Sequence, residues 1–206
     1  MNERLRFEGR LVQLEPLDVV HVRALLEVAR SGREAFALTY VPGDEIAMRR
    51  YVDDALAEAR AGRAVPFATI DRTSGRIVGS TRFGNIERWS WPEGHARQRT
   101  DGRPDAVEIG WTWLDPAAQR TGINVEAKLL MLTHAFETWE VHRVTLMTDA
   151  RNARCREAIV RLGATLDGVL RAARPGADGA IRDTAAYSIV RAEWPPCKHA
   201  LVRRLR

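Results

Sequence analysis

The sequence predicts one α/β domain, and three observations carry that reading. Runs with a two-residue and a 3.6-residue apolar period interleave along the chain, about seven strand-like and about four helical. VEIGWTWL alternates strictly and is followed, after a short polar connection, by an apolar stripe of helical spacing. The 206 residues, 45% of them apolar, are enough for one sizeable core and short for two.

In chain order, GRLVQLEPL reads as a first strand ending at Pro16. Asp18 stands where a helix N-cap belongs, before VVHVRALLEVAR. Asp44 is the cap expected for a second helix, IAMRRYVDDALAEAR, with Ile46, Tyr51, Ala55, Leu56 and Ala59 as its apolar stripe and Gly62 as its end. PFATIDRTSGRIVGSTRF reads as a hairpin turning at Thr73, Ser74 and Gly75. Residues 85–106 follow neither period and are rich in Gly, Pro and Arg, which predicts a long loop insertion. In the next strand Glu108, Gly110, Thr112 and Leu114 are expected on one face, Ile109, Trp111 and Trp113 on the other. Val125, Leu129, Leu132, Phe136 and Trp139 mark a third helix. HRVTLMT is a strand candidate, and NARCREAIVRL is a helix with Asn152 as N-cap and Gly163 at its C-terminus. GVLRAARPGADGAIRDTAAYSIV supplies two last strands, and residues 191–206 read as a short basic tail.

Charge and cysteine content narrow the function classes. The formal net charge is +5, from 32 basic and 27 acidic residues, with Lys128 and Lys198 the only lysines. That balance suits nucleic acid or a phosphorylated small ligand, but the charges are scattered and no RNP-like, zinc-finger or basic-zipper pattern accompanies them. A solvated arginine-rich surface accounts for them, and nucleic acid is disfavoured. Cys155 and Cys197 form neither a disulfide framework nor a metal-ligand spacing, and HExxH and paired CxxC are absent, so no metal is expected. No apolar stretch has signal-peptide or membrane-span length, which predicts a soluble cytoplasmic protein without a membrane partner.

QRTGIN, Gln119 to Asn124, joins the alternating strand to the third helix. A helix start offers unpaired N–H groups and a positive dipole end, and glycine lets the preceding loop approach a ligand, so the junction suits a phosphate. Spacing alone leaves a simple turn equally open. The GxxxxGKS/T and GxGxxG phosphate motifs are absent.

These residues also resemble a family. Gln119, Arg120 and Gly122, with Ile123 and Asn124, resemble the Q/R-x-x-G-x-G/A signature of the GNAT acetyltransferase superfamily, with Asn124 a departure at the last position. NARCREAIVRLGATLDGVLR and RDTAAYSIV resemble the corresponding segments of its RimJ/RimL-like subgroup. With EIGWTWLDP in front, the likeness runs in order from about Leu11 to Val190. It implies the GNAT fold, a mixed and largely antiparallel sheet of about seven strands flanked by helices, over a single domain of residues 1–206. It implies an N-acetyltransferase in which a primary amine attacks acetyl-coenzyme A directly in a ternary complex, with acetyl-CoA as cosubstrate.

Carried over by position, the amides of Gln119, Arg120, Thr121, Gly122, Ile123 and Asn124 hold the pyrophosphate. The backbone of Thr112 and Leu114 meets thioester and pantetheine, with the Thr112 N–H polarising the carbonyl, and Asn152 contacts the pantetheine arm. Glu108 stands where many members carry a glutamate base, which an amine protonated at neutral pH requires; a salt-bridged surface glutamate is the alternative. Cys155 replaces the subgroup's serine and is the candidate acid for the leaving thiol, or simply a small buried residue. Phe36, Tyr40, Arg82, Trp89 and Trp91 are candidates to line the acceptor site, although the tryptophans could equally fold onto the core or join a dimer. The acceptor is a small-molecule or peptide amine. A coenzyme-binding regulatory protein with little catalysis is the alternative function, motivated by Asn124 and Cys155, and monomer and homodimer are both compatible.

Overall fold

The computed structural model describes residues 5–206. One eight-stranded sheet runs in the order β1-β2-β3-β4-β5-β6-β8-β7. Its strands are β1 (Phe7–Glu8), β2 (Val12–Pro16), β3 (Val65–Asp71), β4 (Arg76–Glu87), β5 (Ala106–Leu114), β6 (Arg143–Asp149), β7 (Thr165–Pro175) and β8 (Ile181–Val190). Neighbours are antiparallel throughout except β5 and β6, which are parallel. The strand beyond the expected set is the two-residue β1, too short to show a period.

Helices cover both faces. α1 (Val22–Ser31) and α2 (Glu45–Arg60) bury Leu25, Leu26, Met48 and Val52 with Phe36 and Trp113 in one core. α3 (Ile123–Thr133), continued by a π turn over His134–Thr138, packs with α4 (Ala153–Val160) and α5 (Trp194–Arg204) on a second, larger core around Phe67, Phe83, Met131 and Leu132. Asp44 caps α2 by accepting from the Ala47 N–H at 2.8 Å, and Asn152 caps α4 by accepting from the Cys155 N–H at 3.0 Å. The β3–β4 hairpin turns through residues 72–75 as expected, with Gly75 at φ 69°.

Three local expectations need correction. The buried face of α2 is Met48, Val52 and Ala55, and Ile46 is 81% exposed; it sits in the first turn, beyond the reach of the sheet. α3 buries Ile123, Ala127 and Met131 as well as Leu132, because the sheet and α5 cover it from two sides. The basic tail is instead α5. Pro195 and Pro196 lie in its first turn, where no backbone donor is needed, and Trp194, Cys197 and Leu201 form its buried face. Trp194 Nε1 and Lys198 Nζ both bind Glu137 Oε1, at 2.8 and 2.7 Å, fastening α5 to the turn after α3.

Candidate functional site

The sheet opens in its middle. β5 and β6 pair only from Ala106↔Arg143 to Glu108↔Thr145. Beyond that point β5 stays on β4 as far as Leu114 and β6 stays on β8 as far as Asp149. The backbone of Ile109–Leu114 therefore faces a gap with no strand partner, and unpaired backbone groups are potential ligands for a polar chain. Hollows of about 390 Å³ lie around Arg156 and Val160 and between the β3–β4 turn and the loop into α3, where Thr73, Asp115, Thr121 and Ile123 line the second. The gap is marked by splayed strands rather than by enclosed volume.

At the end of β5 the chain turns into α3 through Gln119–Gly122. Gln119 Nε2 donates to the Leu114 carbonyl at 3.0 Å and Thr121 Oγ1 to the Ala118 carbonyl at 2.7 Å, so both side chains brace the loop. Arg120 (φ 65°) and Gly122 (φ 93°) are left-handed. Gly122 is favoured there by conformation, and a Cβ would in addition stand 2.9 Å from Leu11 Cδ1 and push that methyl aside. In the first turn of α3, Glu126 is turned back onto the β1–β2 turn, accepting from the N–H groups of Arg10, Leu11 and Val12 at 2.9, 2.6 and 2.9 Å.

A β-bulge decides which face of β5 each side chain uses. Arg82 pairs with Gly110 and Ser80 with Trp113, so Trp111 and Thr112 together oppose Thr81. Trp111 takes φ 49°, and the alternation inverts there. Ile109 and Leu114 consequently share the α3-side core, while Trp113 enters the α1/α2 core. This overturns the expected common face of Glu108 and Thr112. Thr112 Oγ1 bonds Thr81 Oγ1 at 2.8 Å on the α3 side. Glu108 lies on the other face with Gly110, Gly84 and Arg82. The Trp111 ring covers Gly84, and the Arg82 guanidinium stacks 4.0 Å from that ring.

Each face holds one buried ionisable group. Glu108 is 8% exposed and accepts from Asn85 Nδ2 at 2.7 Å. Burial raises its pKa, opposed by the Asn85 hydrogen bond and by Arg174, Arg82 and Arg182. Lys128 is 4% exposed, its Nζ donating to Thr112 Oγ1 at 2.6 Å and to Thr81 Oγ1 at 2.9 Å. Burial lowers its pKa to about 7, with Cys155 acting in the opposite sense. Neither Lys128 nor Glu126 stood out in the sequence, where charged residues on a helix read as a solvated face. Their placement within an apolar run, VEAKLLML, was the available signal.

Comparisons with known proteins meet this geometry. Residues 10–165 match the family model described as an acetyltransferase (GNAT) domain. The chain belongs to the GNAT acetyltransferase family. Among solved structures, a GNAT N-acetyltransferase from Brucella melitensis is 26% identical, with TM-score 0.82 over 100% of this chain and 87% of that one. An acetyltransferase structure from T. thermophilus is 34% identical, with TM-score 0.74 over 98% of this chain and 97% of that one. RimJ of Mycobacterium smegmatis, in complex with CoA-disulfide, shares the fold at 22% identity and TM-score 0.77 over 95% and 90%. No curated protein matches the sequence.

In this GNAT enzyme the remaining expected site residues are spread widely. Cys155 is half-buried at the N-terminus of α4, on the β6 side of the gap, beside Asn152. The Asn152 oxygen serves as the helix cap and its amide NH2 makes no hydrogen bond among the described residues. Phe36 is core, edge-on to Trp113 at 5.9 Å, and Tyr40 is 65% exposed. Trp89 and Trp91 gather at the start of β5, far along the strand from Leu114. Trp89 stacks on His142 and Trp91 on His95, while buried Asp105 accepts from the Trp89 N–H at 2.8 Å and from Trp91 Nε1 at 3.3 Å. Thus Glu108 and Arg82 come together, Thr112 and Leu114 line the gap leading to residues 119–124, and the two tryptophans form a separate cluster. Among the described residues no group of three or more His, Cys, Asp or Glu is poised for a metal, and no helix is long and apolar enough to cross a membrane.

Proposed function

We propose that the chain is an acetyl-CoA-dependent N-acetyltransferase that transfers acetyl to a primary amine, a peptide N-terminus or a small amine, in the cytoplasm. The observation that carries this reading is the gap between β5 and β6, which leads from Glu108 to a left-handed loop and the start of α3. A thioester-bearing chain fits it in parts. The amides of Gln119 to Asn124 take the pyrophosphate, with the Arg120 side chain as a further contact, and the backbone of Thr112 and Leu114, beyond the last β5–β6 pair, takes the pantetheine with the Asn152 amide. That RimJ, of the same fold, is known with CoA-disulfide supports the same ligand class here.

The two faces then divide the chemistry. The amine enters on the Glu108 face, beside Arg82 and Trp111. A peptide N-terminus, with reference pKa about 7.7–8.0, arrives largely protonated, and a carboxylate whose pKa burial has raised is a competent acceptor for its proton. The nitrogen forms a bond to the acetyl carbon, the Thr112 N–H steadies the charge on the carbonyl oxygen, and the C–S bond breaks with its electron pair going to sulfur. Cys155 lies on the far side of the gap as a candidate proton donor to that sulfur.

Calorimetric titration with acetyl-CoA, with coenzyme A and ATP as controls, tests the reading. Micromolar binding, about 8 kcal/mol, is expected for the thioester and not for ATP. An acceptor panel of peptides with varied N-termini and of small amines follows. Binding without acetyl transfer to any of them would leave a coenzyme-binding protein, and no binding at all would remove the enzymatic reading.

A further inference from the structure

Lys128 is a buried amine with no counter-ion. Its Nζ meets two threonine hydroxyls, and no carboxylate lies within ion-pair distance of it among the described residues. Lysine is almost never this buried without an anion, because desolvation of the ammonium is uncompensated by hydroxyl dipoles alone. The nearest acid on its own helix, Glu126, is committed to the β1–β2 turn, and Glu108 is on the opposite face of β5. Lys128 also meets the strand that lines the gap. Its amine is hydrogen-bonded to Thr112 on β5 at 2.6 Å, and a charge on Cys155 of α4 acts on it in the direction that favours the ammonium.

Resting on the coenzyme reading above, we propose that Lys128 receives the negative charge of the departing coenzyme A thiolate and supplies its proton. The amine lone pair forms the C–N bond, and the C–S pair passes to sulfur. The Lys128 ammonium pairs with that thiolate and gives it one proton, leaving free thiol and a neutral lysine. The new amide nitrogen sheds its proton through Glu108 to water, and Lys128 regains one from water as products leave. No further co-reactant is needed. A lysine whose pKa burial has brought to about 7 is suited to both halves of this exchange. Its amine meets Thr81 from β4 and Thr112 from β5, and the ionisable side chain that acts on it is Cys155 from α4.

The test titrates the coenzyme thiol in the binary complex. Thiolate absorbance of the protein bound to coenzyme A is followed against pH, and the same protein bound to desulfo-coenzyme A is subtracted to remove Cys155 and Cys197. The bound thiol is expected at least about one unit below free coenzyme A in the wild type and in Lys128→Arg, and at or above the free value in Lys128→Met. A wild-type thiol that titrates as free coenzyme A overturns the proposal, as does a Lys128→Met complex with an unmoved thiol. If the methionine variant does not fold, the wild-type titration alone decides. Calorimetry on the same samples separates the two ideas: absent coenzyme binding by the wild type sinks the proposed function, whereas binding with an unshifted thiol sinks only the role of Lys128.

Discussion

The two faces of β5 carry buried ionisable groups of opposite sign in unlike company. Glu108 is hydrogen-bonded by Asn85 and feels the charges of Arg174, Arg82 and Arg182. Lys128, across the strand, has only hydroxyls and one thiol. Burial pushes the carboxyl up and the ammonium down, so both move toward neutral pH, but only the carboxylate has its charge answered by the protein. The difference teaches where ligand charge belongs. On the proposals above, the Glu108 face takes the amine's proton and the Lys128 face the thiolate's charge, and the bulge at Trp111 keeps the two apart.

The sharpest way to break this comparison is Glu108→Gln. Turnover is expected to fall by about 10²–10⁴ with the rising limb of the pH profile lost, and coenzyme affinity to stay within about twofold. Steady-state kinetics beside calorimetry check this, and a parallel loss of affinity would mean that the faces are not separate. On the coenzyme side, Gly122→Ala puts a Cβ against Leu11 at φ 93°. At a strain of about 1–2 kcal/mol, coenzyme affinity should weaken by about tenfold while the acceptor KM is unchanged.

A smaller effect sharpens the comparison without any ligand. Between pH about 7 and 10.5 an unfolded chain keeps the Lys128 proton that the folded chain has released, so the unfolded state binds more protons. Stability contributed by this residue therefore rises with pH across that window, by at most about 1.4 kcal/mol per unit. Glu108 has the opposite sign, since its folded form holds a proton longer, and its contribution falls as pH rises through the acid range. Thermal melts of apo Lys128→Met should lose the alkaline rise, and those of Glu108→Gln the acid decline.

The elements were legible and the faces were not. Alternating and helical periods exposed the hairpin, the splayed strand and α3, and the Asp44 and Asn152 caps declared themselves because short polar side chains at helix starts have a specific partner to find. The bulge was hidden because a large aromatic disfavours positive φ, so Trp111 gave no sign that the period inverts. Lys128 and Glu126 were hidden because helical charges default to solvent. α5 was hidden because a Pro-Pro pair reads as a breaker unless it falls in a first turn. The aromatic loop residues were left open between an acceptor wall and a structural role, because their partners, His142 and Asp105, are remote from them in sequence or carry no period of their own.

The smallest effect falls at Cys155, and it discriminates between the two donors offered for the leaving sulfur. The side chain is half-buried and packs on the edge of the larger core, and its N–H, not its thiol, makes the cap with Asn152. Replacing it by alanine removes one sulfur from a partly open position and keeps the helix start intact. If Lys128 meets the thiolate, Cys155→Ala should lower kcat by less than about tenfold and leave the bound thiol titration where it was, since a thiol is only a weak donor. If Cys155 is the proton donor, the same variant should lose about 10² or more, the ordinary scale of general acid catalysis, and Cys155→Ser should recover most of it because a hydroxyl donates better. Pairing the substitution with Lys128→Met completes a double-mutant cycle: losses that multiply place the two groups in independent roles, and a double variant no worse than Lys128→Met alone makes Cys155 a neighbour that acts only through the lysine.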